Sequence, residues 1–406
     1  MIQSPTGKTV TTEIFRLARG GRAVGRYNDG RVLFVAGGVP GDVVEAEITL
    51  ESERFLEARV TKILTASSHR VSPPCPHFQE CGGCPWQNVA YDEQISQKVA
   101  ILKDTLIRGR ALSKDEAELF QEFHPSPKEF RYRSRVTLQR RTNGQGTELG
   151  YNRRESNDFV AIKDCLLARE ELIPFAREVA TSSTTKIRDR FQVAIDGTGK
   201  LTVGGAFTQV NFEQNQKLQD LVSDLIADHI RKRPDIVHWH FLDLYCGNGN
   251  LTFPTIEKVR EMMPDKVIEA TGVEQTEESI LDARKNPRAQ QCRFYAEDVE
   301  EWLVRQKSGP SGQVTKKGLP LDEIILLDPP RVGCTKGVMM KIARRKPSLV
   351  VYVSCDPATQ ARDLARMRET FSQMKASYDV EKITGLDLFP QTDHIESVVA
   401  FRRKAN

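Results

Sequence analysis

No stretch of about eighteen consecutive apolar residues occurs in the 406-residue chain, and no charged start leads into an apolar run with a small-residue cleavage site. The first absence argues against membrane spans and the second against secretion, so a cytoplasmic protein with no membrane partner is expected. Charge of one sign is not in excess either: 59 Lys+Arg stand against 55 Asp+Glu, a net of +4. Such a balance excludes an affinity for nucleic acid spread over the whole surface and confines it to local patches. A reducing compartment also disfavours disulfides, so the eight cysteines are expected to be metal ligands, nucleophiles or core residues. The length exceeds what one hydrophobic core supports, which predicts two or three domains.

Several apolar strings end in reactive groups. In residues 350–363, VVYVSCDPATQARD, the run Val350, Val351, Tyr352 and Val353 predicts a buried strand stopped by Asp356-Pro357. Cys355 then stands at the carboxyl end of a strand, where parallel α/β sheets open onto a ligand crevice, so its thiol is a candidate nucleophile. Its alternative role is that of a small buried hydrophobe. Residues 321–333, LDEIILLDPPRVG, repeat the arrangement: a strand delivers Asp328, Pro329-Pro330 stiffen the backbone after it, and Arg331 adds a cation.

Residues 240–252, HFLDLYCGNGNLT, join a strand to a turn in which Gly247 and Gly249 permit close approach of a ligand, and Glu274 ends the next strand, where a dinucleotide fold places its ribose carboxylate. No third glycine and no phosphate-binding lysine follow. That absence favours S-adenosylmethionine over NAD or ATP, because this ligand has no phosphates to cradle. Asp298, in FYAEDVEEW, is a candidate partner for the adenine amino group and equally a helix N-cap. A last strand, ESVVAF, starts at Glu396 with His394 just before it.

Residues 10–65 alternate apolar segments with glycine turns, which predicts four or five short strands closing a small barrel of the oligonucleotide-binding kind. The stretch resembles a TRAM domain, with Gly20, Gly21, Pro40 and Gly41 at the turns. Residues 71–88, VSPPCPHFQECGGCPWQN, bring Cys75, Cys81 and Cys84 around a Gly82-Gly83 turn whose amides can face sulfur ligands. Cys165 is the best fourth ligand, with His77 as runner-up if the site holds zinc. Spacing alone does not separate zinc from a 4Fe-4S cluster. An amphipathic helix is predicted over about 91–108 with Ile95, Val99, Leu102 and Leu106 on its buried face. A hairpin turning at Asn143-Gly144 follows, and Arg131, Arg133 and Arg135 at period two form a candidate phosphate-tracking face, with Tyr132 and Tyr151 available for stacking. Further helix and strand signals cover 166–205. Gln209, Asn211 and Asn215 then precede a helix ending near residue 230, while Cys246, Cys292 and Cys334 read as packing or turn residues.

FTQVN at 207–211, DLYCGNGN at 243–250, DPPRVG at 328–333, VSCDPATQARDL at 353–364 and HIESV at 394–398 together resemble the RNA uracil-5-methyltransferases. The cysteine block and the TRAM-like barrel resemble the ribosomal-RNA branch of that family. The resemblance implies an α/β, Rossmann-like methyltransferase domain over 206–406, a TRAM barrel over 1–66 that binds RNA, and a central α+β domain with a 4Fe-4S cluster over 67–205. It implies Cys355 as nucleophile toward uracil carbon 6, Glu396 as general base and Asp328 as a uracil-holding group. Gln209, Tyr245, Asn250, Glu274, Asp298 and Asp328 would surround S-adenosylmethionine, and Cys75, Cys81, Cys84 and Cys165 would hold the cluster. The implied partner is 23S ribosomal RNA, met by a monomer. The alternatives are a transfer-RNA uridine, or amino methylation at an Asp-Pro-Pro loop, which ordinarily carries an aromatic after the prolines and needs neither Cys355 nor Glu396.

Overall fold

The computed structural model describes residues 7–144, 146–182, 187–204, 209–306, 313–314 and 318–404, so Phe207 and Thr208 of the FTQVN string lie outside the described residues. The chain forms two compact units. One comprises Met1–Ile101, Ser126–Phe212 and Phe389–His394, and the other Leu102–Pro125, Glu213–Leu388 and Ile395–Asn406.

The first unit begins with six strands, β1 (Thr9–Glu13), β2 (Arg16–Leu17), β3 (Ala23–Arg26), β4 (Val32–Ala36), β5 (Val43–Glu51) and β6 (Phe55–Thr65), in the order β1-β5-β6-β4-β3-β2. Strict alternation buries Val44, Ala46 and Ile48 of β5 and Leu33 and Val35 of β4, as the period of a strand requires. The Thr12 hydroxyl of β1 donates to the Arg26 carbonyl at 3.0 Å and accepts from its amide at 3.1 Å, which ties β1 to β3 across the sheet order. Buried Trp86 and Val89 complete this core.

Helix α1 occupies Tyr91–Arg108, as the periodicity predicts. Its buried face differs, however: Leu102 and Leu106 are buried, but Gln94 and Lys98 are buried in place of Ile95 and Val99. The Gln94 amide donates to the Trp86 and Val89 carbonyls at 3.1 and 2.9 Å and to Gln391 at 2.9 Å, and the Lys98 ammonium donates to the Phe389 carbonyl at 3.2 Å. Hydrogen bonds make these polar burials tolerable, a compensation that hydrophobic periodicity does not register.

The short helix α2 (Lys114–Ala117) leads to β7 (Phe120–His124). In the first unit a second sheet then forms from β8 (Arg135–Asn143), β9 (Gly146–Asn152), β10 (Phe159–Ala161), β11 (Arg190–Ile195) and β12 (Leu201–Val203), in the order β10-β9-β8-β11-β12. The reversal falls between Asn143 and Gly146, the last rung of the hairpin. Helix α3 (Leu172–Thr181) packs Leu172, Ala176 and Val179 against Val136, Leu138 and Val193 of this sheet.

In the second unit, α4 (Phe212–Arg231), α5 (Thr252–Met262), α6 (Glu277–Lys285), α7 (Val299–Arg305), α8 (Lys336–Arg345) and α9 (Pro357–Gln373) accompany strands β13 (His238–Leu244), β14 (Val267–Glu274), β15 (Cys292–Ala296), β16 (Gln313–Val314), β17 (Pro320–Leu327), β18 (Leu349–Ser354), β19 (Tyr378–Leu386) and β20 (Glu396–Arg403). With β7 these make a nine-stranded sheet of order β15-β14-β13-β17-β18-β20-β19-β7, β16 pairing with β17. The five strands from β15 to β18 are parallel, and β20 is antiparallel to both its neighbours. β18 is buried along its whole length and β17 is apolar and buried from Ile324 to Leu327, as strands covered on both faces must be. Strand order reverses at β13, with β14 on one side and β17 on the other, and a doubly wound sheet opens its ligand crevice at such a switch point. Nothing in the sequence signals that Phe120–His124, far upstream, pairs with β19 as an edge strand. No described helix is long and apolar enough to cross a membrane.

Candidate active site

The turn after β18 is built by Asp356. Its carboxylate accepts the Ala358 and Thr359 amides at 2.9 and 3.1 Å, so Asp356 caps α9 and Pro357 occupies the first turn, where its missing N–H costs nothing. Asp-Pro thus starts a helix as well as stopping a strand. Cys355 is held between the two. Ser354 of β18 pairs with Ser397 of antiparallel β20 in the last rung of that ladder, and Cys355 and Glu396, the residues just beyond it, lie near enough for their charges to interact. Gln360 braces this rung: it accepts from the Ser397 hydroxyl at 2.8 Å and donates to the Tyr352 carbonyl at 3.0 Å.

The loop after β17 closes on the same place. The Arg331 guanidinium is hydrogen-bonded to the Cys355 thiol. Asp363 of α9, fully buried, fastens the loop by accepting the Cys334 amide at 2.6 Å and the Tyr352 hydroxyl at 2.9 Å, and it pairs with Arg362 at 2.9 Å. Arg362 in turn donates to the Val332 carbonyl at 2.7 Å. Gly333, at φ +74°, lies against Asp363 where a Cβ would collide with the carboxylate. Cys334 is therefore a buried turn residue, as expected, and Cys246 belongs to the core around Phe253 and Phe294.

Electrostatics separate this crevice from an ordinary surface. Burial pushes the Cys355 thiol up to about 12; Glu396 and Asp328 act in the same direction, and Arg331 opposes them. Burial likewise holds Glu396 well above the usual carboxylate range, with Asp328 adding to the effect and Arg331 reducing it. Burial and then Glu274 raise Asp328 to about 7. Asp243 is raised to about 8 by burial, with Asp328 and Glu274 contributing, against a hydrogen bond from Thr252. Its Oδ1 is buried without a hydrogen-bond partner among the described residues. Four carboxyl groups that repel one another in a desolvated crevice suit a ligand of net positive charge, which S-adenosylmethionine is. In sequence, Asp243 before the glycine turn and Glu274 after it mark a nucleoside-binding domain, but no site role for Asp243 follows from that pattern.

The remaining expected cofactor residues fall into two groups. Glu274 ends β14 with its Oε1 accepting the Thr276 amide at 2.8 Å, and Asp298 caps α7 by accepting the Glu301 amide at 3.0 Å. Tyr245 stands after β13 at φ +65°, hydrogen-bonded to Cys334. The Asn250 amide exchanges hydrogen bonds with Asn215 at 2.9 Å, and Gln219 donates to its carbonyl at 2.9 Å, so α4 holds this turn. Gly249, at φ +86°, also makes room for the Phe253 ring, which a Cβ there would strike. Gln209 lies in the first unit, where its carbonyl accepts from Ser134 at 3.1 Å.

In the first unit, Cys75, Cys81, Cys84 and Cys165 line one pocket with His77, Gln87 and Tyr151. The His77 amide is hydrogen-bonded to the Cys75 sulfur and the Gly83 amide to the Cys81 sulfur, while the Gly82 amide goes to the Asn152 carbonyl. Burial raises the Cys75 and Cys81 thiols and takes Cys84 to about 12, so thiolates here call for a cationic centre. Among the described residues no group of three or more His, Cys, Asp or Glu converges tightly enough to hold a metal ion. A cubane cluster asks less convergence, since each of its thiolates binds a different iron.

The phosphate-tracking face does not form as expected. Arg131 pairs with Asp164 at 2.5 Å and donates to the Cys165 and Ala168 carbonyls at 3.1 Å. Arg133 bridges to Ala168 and Asn211 and lies over the Phe389 ring. Tyr132 is buried with its hydroxyl on the Pro390 carbonyl, and Tyr151 hydrogen-bonds Cys165. Arg131 and Arg133 precede β8 and are tied to residues 165–168 of the cysteine-bearing loop, a partner that sequence alone does not locate, while Arg135 opens β8 itself.

A doubly wound sheet whose order reverses at β13, in a chain that also carries a six-stranded sheet at its start, defines the S-adenosylmethionine-dependent methyltransferase fold with a TRAM-type domain. Residues 171–404 match the family described as tRNA (Uracil-5-)-methyltransferase, and residues 3–61 match the TRAM domain. An RNA methyltransferase of Bdellovibrio bacteriovorus is 32% identical over 98% of this chain and 95% of its own. The 23S rRNA (uracil(1939)-C(5))-methyltransferase RlmD of Pectobacterium atrosepticum is 28% identical over 97% of this chain and 94% of its own. In fold, the chain is similar to the tRNA (uracil-54, C5)-methyltransferase of Pyrococcus abyssi, solved with S-adenosyl-L-homocysteine, at TM-score 0.63 and 20% identity, covering 97% of this chain and 100% of that one. The chain belongs to the RNA (uracil-5-)-methyltransferase family, enzymes dependent on S-adenosylmethionine.

Proposed function

We propose that this methyltransferase acts on a uridine of 23S ribosomal RNA through a covalent adduct of Cys355. The observation that carries the reading is that Cys355 and Glu396, just beyond the last rung between β18 and β20, interact in one buried site with Arg331 hydrogen-bonded to the thiol. Carbon 5 of uracil is a poor nucleophile. Addition of the Cys355 sulfur to carbon 6 converts it to an enolate carbon able to attack an electrophile. S-adenosylmethionine, when bound, supplies a methyl group on a sulfonium. Gln209, Tyr245, Asn250, Glu274, Asp298 and Asp328 are the residues assigned to hold it, and the acidity of the crevice fits its charge. Glu396 then takes the proton from carbon 5, and the electron pair so released re-forms the 5,6 double bond as the Cys355 sulfur leaves. Arg331 favours the thiolate both before addition and on departure. Asp328 also orients the uracil. A stacked, paired uridine cannot offer carbon 6 to a thiol, so the target is single-stranded or flipped.

The ribosomal assignment is supported by the likeness to the Pectobacterium enzyme along nearly its full length and by the four cysteines of the first unit. The proposed division is a TRAM barrel over 1–66 that binds RNA, a central domain over 67–205 in which Cys75, Cys81, Cys84 and Cys165 hold a 4Fe-4S cluster, and a catalytic domain over 206–406. Methyl transfer needs no redox step, so the cluster acts as a structural clasp. A cytoplasmic monomer completes the reading. The decisive test is 5-fluorouridine-substituted 23S ribosomal RNA incubated with the enzyme and S-adenosylmethionine, then run on a denaturing gel. Fluorine cannot leave as a cation, so a trapped band is expected. A band with transfer RNA alone overturns the substrate and keeps the mechanism; no band with either removes Cys355 from its role.

A further inference from the structure

The ends of the strands remote from the crevice carry a second feature. A cavity of about 810 Å³ opens there in the second unit, ringed by residues that precede β13, β18 and β19 or end β20. The six residues of β18, at about 3.3 Å each, put it roughly 20 Å from Cys355.

Its charge is lopsided. Glu381 is shared by Arg402 at 2.7 Å and Lys232 at 3.2 Å, and Asp322 is shared by Arg233 at 3.3 Å and Arg403 at 3.4 Å. Lys404 pairs with Asp379 at 2.8 Å. Lys346 and Lys375 also line the cavity, and no ion pair joins either to an acid among the described residues. With Asp235 included, seven basic side chains face four acidic ones, a local excess of three in a chain whose net charge is +4. Helices α4, α8 and α9 end here, and their carboxyl termini contribute roughly half a negative charge each, which offsets only part of the excess. Both unpaired lysines stand at helix ends with left-handed backbone, φ 52° for Lys346 and 55° for Lys375, a conformation that carries a steric cost for any side chain.

We propose that this cavity is a second, sequence-independent contact for the phosphate backbone of RNA, engaged by parts of the substrate about 20 Å from the modified nucleotide. It rests on RNA being the substrate and not on the ribosomal assignment. Unequal charge between the two ends of the sheet supports it: carboxylates dominate the crevice that takes the cofactor, and cations dominate the far end. A chain nearly neutral as a whole has to gather its cations in this way to hold a polyanion.

The test is the double variant Lys346→Ala/Lys375→Ala, with Lys346→Glu/Lys375→Glu as the stronger form, in the full-length enzyme. Binding to a 23S ribosomal RNA transcript, and to an unrelated transcript of equal length, is measured from 50 to 200 mM salt, alongside methylation of a short oligonucleotide carrying the target uridine. Expected are about tenfold weaker binding of both transcripts at low salt, a salt slope shallower by about 1.4 from two lost contacts, and an unchanged rate on the oligonucleotide. Unchanged affinity and slope would overturn the proposal, as would equal loss with long and short RNA. A lowered melting temperature with binding intact would assign the lysines to the helix ends and equally overturn it. If the unaltered enzyme methylates no RNA, the functional reading fails, while the binding comparison still decides the cavity.

Discussion

Cofactor affinity is expected to depend on pH because the crevice must ionise to receive it. In the free protein Asp328 is raised to about 7 and Asp243 to about 8, chiefly by burial. S-adenosylmethionine carries one net positive charge and favours both carboxylates ionised, whereas S-adenosylhomocysteine lacks the sulfonium and is neutral overall. For each group that ionises on binding, every pH unit below its free value weakens binding about tenfold, or about 1.4 kcal/mol. Affinity for S-adenosylmethionine should therefore climb steeply from pH 5.5 to 7, more gently to 8, and then level. Affinity for the homocysteine product should change much less. The sign for stability is opposite: both groups are raised above the ordinary aspartate value, so their contribution to the free protein is complete below about pH 4 and is lost as pH rises through 7 and 8. The rise in melting temperature on adding cofactor should then grow with pH. Calorimetry in buffers of different ionisation enthalpy measures proton release directly, and Asp328→Asn should remove roughly half of it. Flat affinity from pH 6 to 8, or parallel curves for the two ligands, would refute the coupling.

Glu396→Gln should let the addition and methyl transfer proceed but leave the carbon 5 proton in place, so a covalent complex with ordinary uridine RNA should accumulate on a denaturing gel; free methylated product at the normal rate would exclude Glu396 as the base. Asp363→Ala leaves the Tyr352 hydroxyl, the Cys334 amide and Arg362 without their shared acceptor. A loss of about 2–4 kcal/mol in chemical denaturation is expected from the buried hydroxyl and amide left without an acceptor, Arg362 itself being partly exposed; a loss below about 1 kcal/mol would mean that the loop is held by other contacts. Enzyme purified without oxygen should be brown and contain iron, and Cys84→Ser or Cys165→Ser should bleach it and lower the melting temperature. Colourless protein containing zinc would replace the cluster with a mononuclear site.

Local order carries much of this enzyme. β-branched runs ending in Cys355 and Asp328 mark strands whose carboxyl ends must meet a ligand, because alternation and burial are properties of a few consecutive residues. The helix Tyr91–Arg108, the hairpin at Asn143 and the pooling of four cysteines are legible for the same reason. What tertiary structure decided depends on pairings between distant segments. Glu396 meets Cys355 only because β20 runs antiparallel to β18 in one register, and a shift of a single residue would turn it to the other face. Asp363 looks like any helix residue until the loop carrying Cys334 and Gly333 closes on it. Arg131 and Arg133 keep the alternation of an exposed strand yet turn inward, since Asp164 and Phe389 come from elsewhere in the chain. Residue pattern sets what each segment can bury. Long-range register and loop closure, whose energies no local window contains, set which charges it meets.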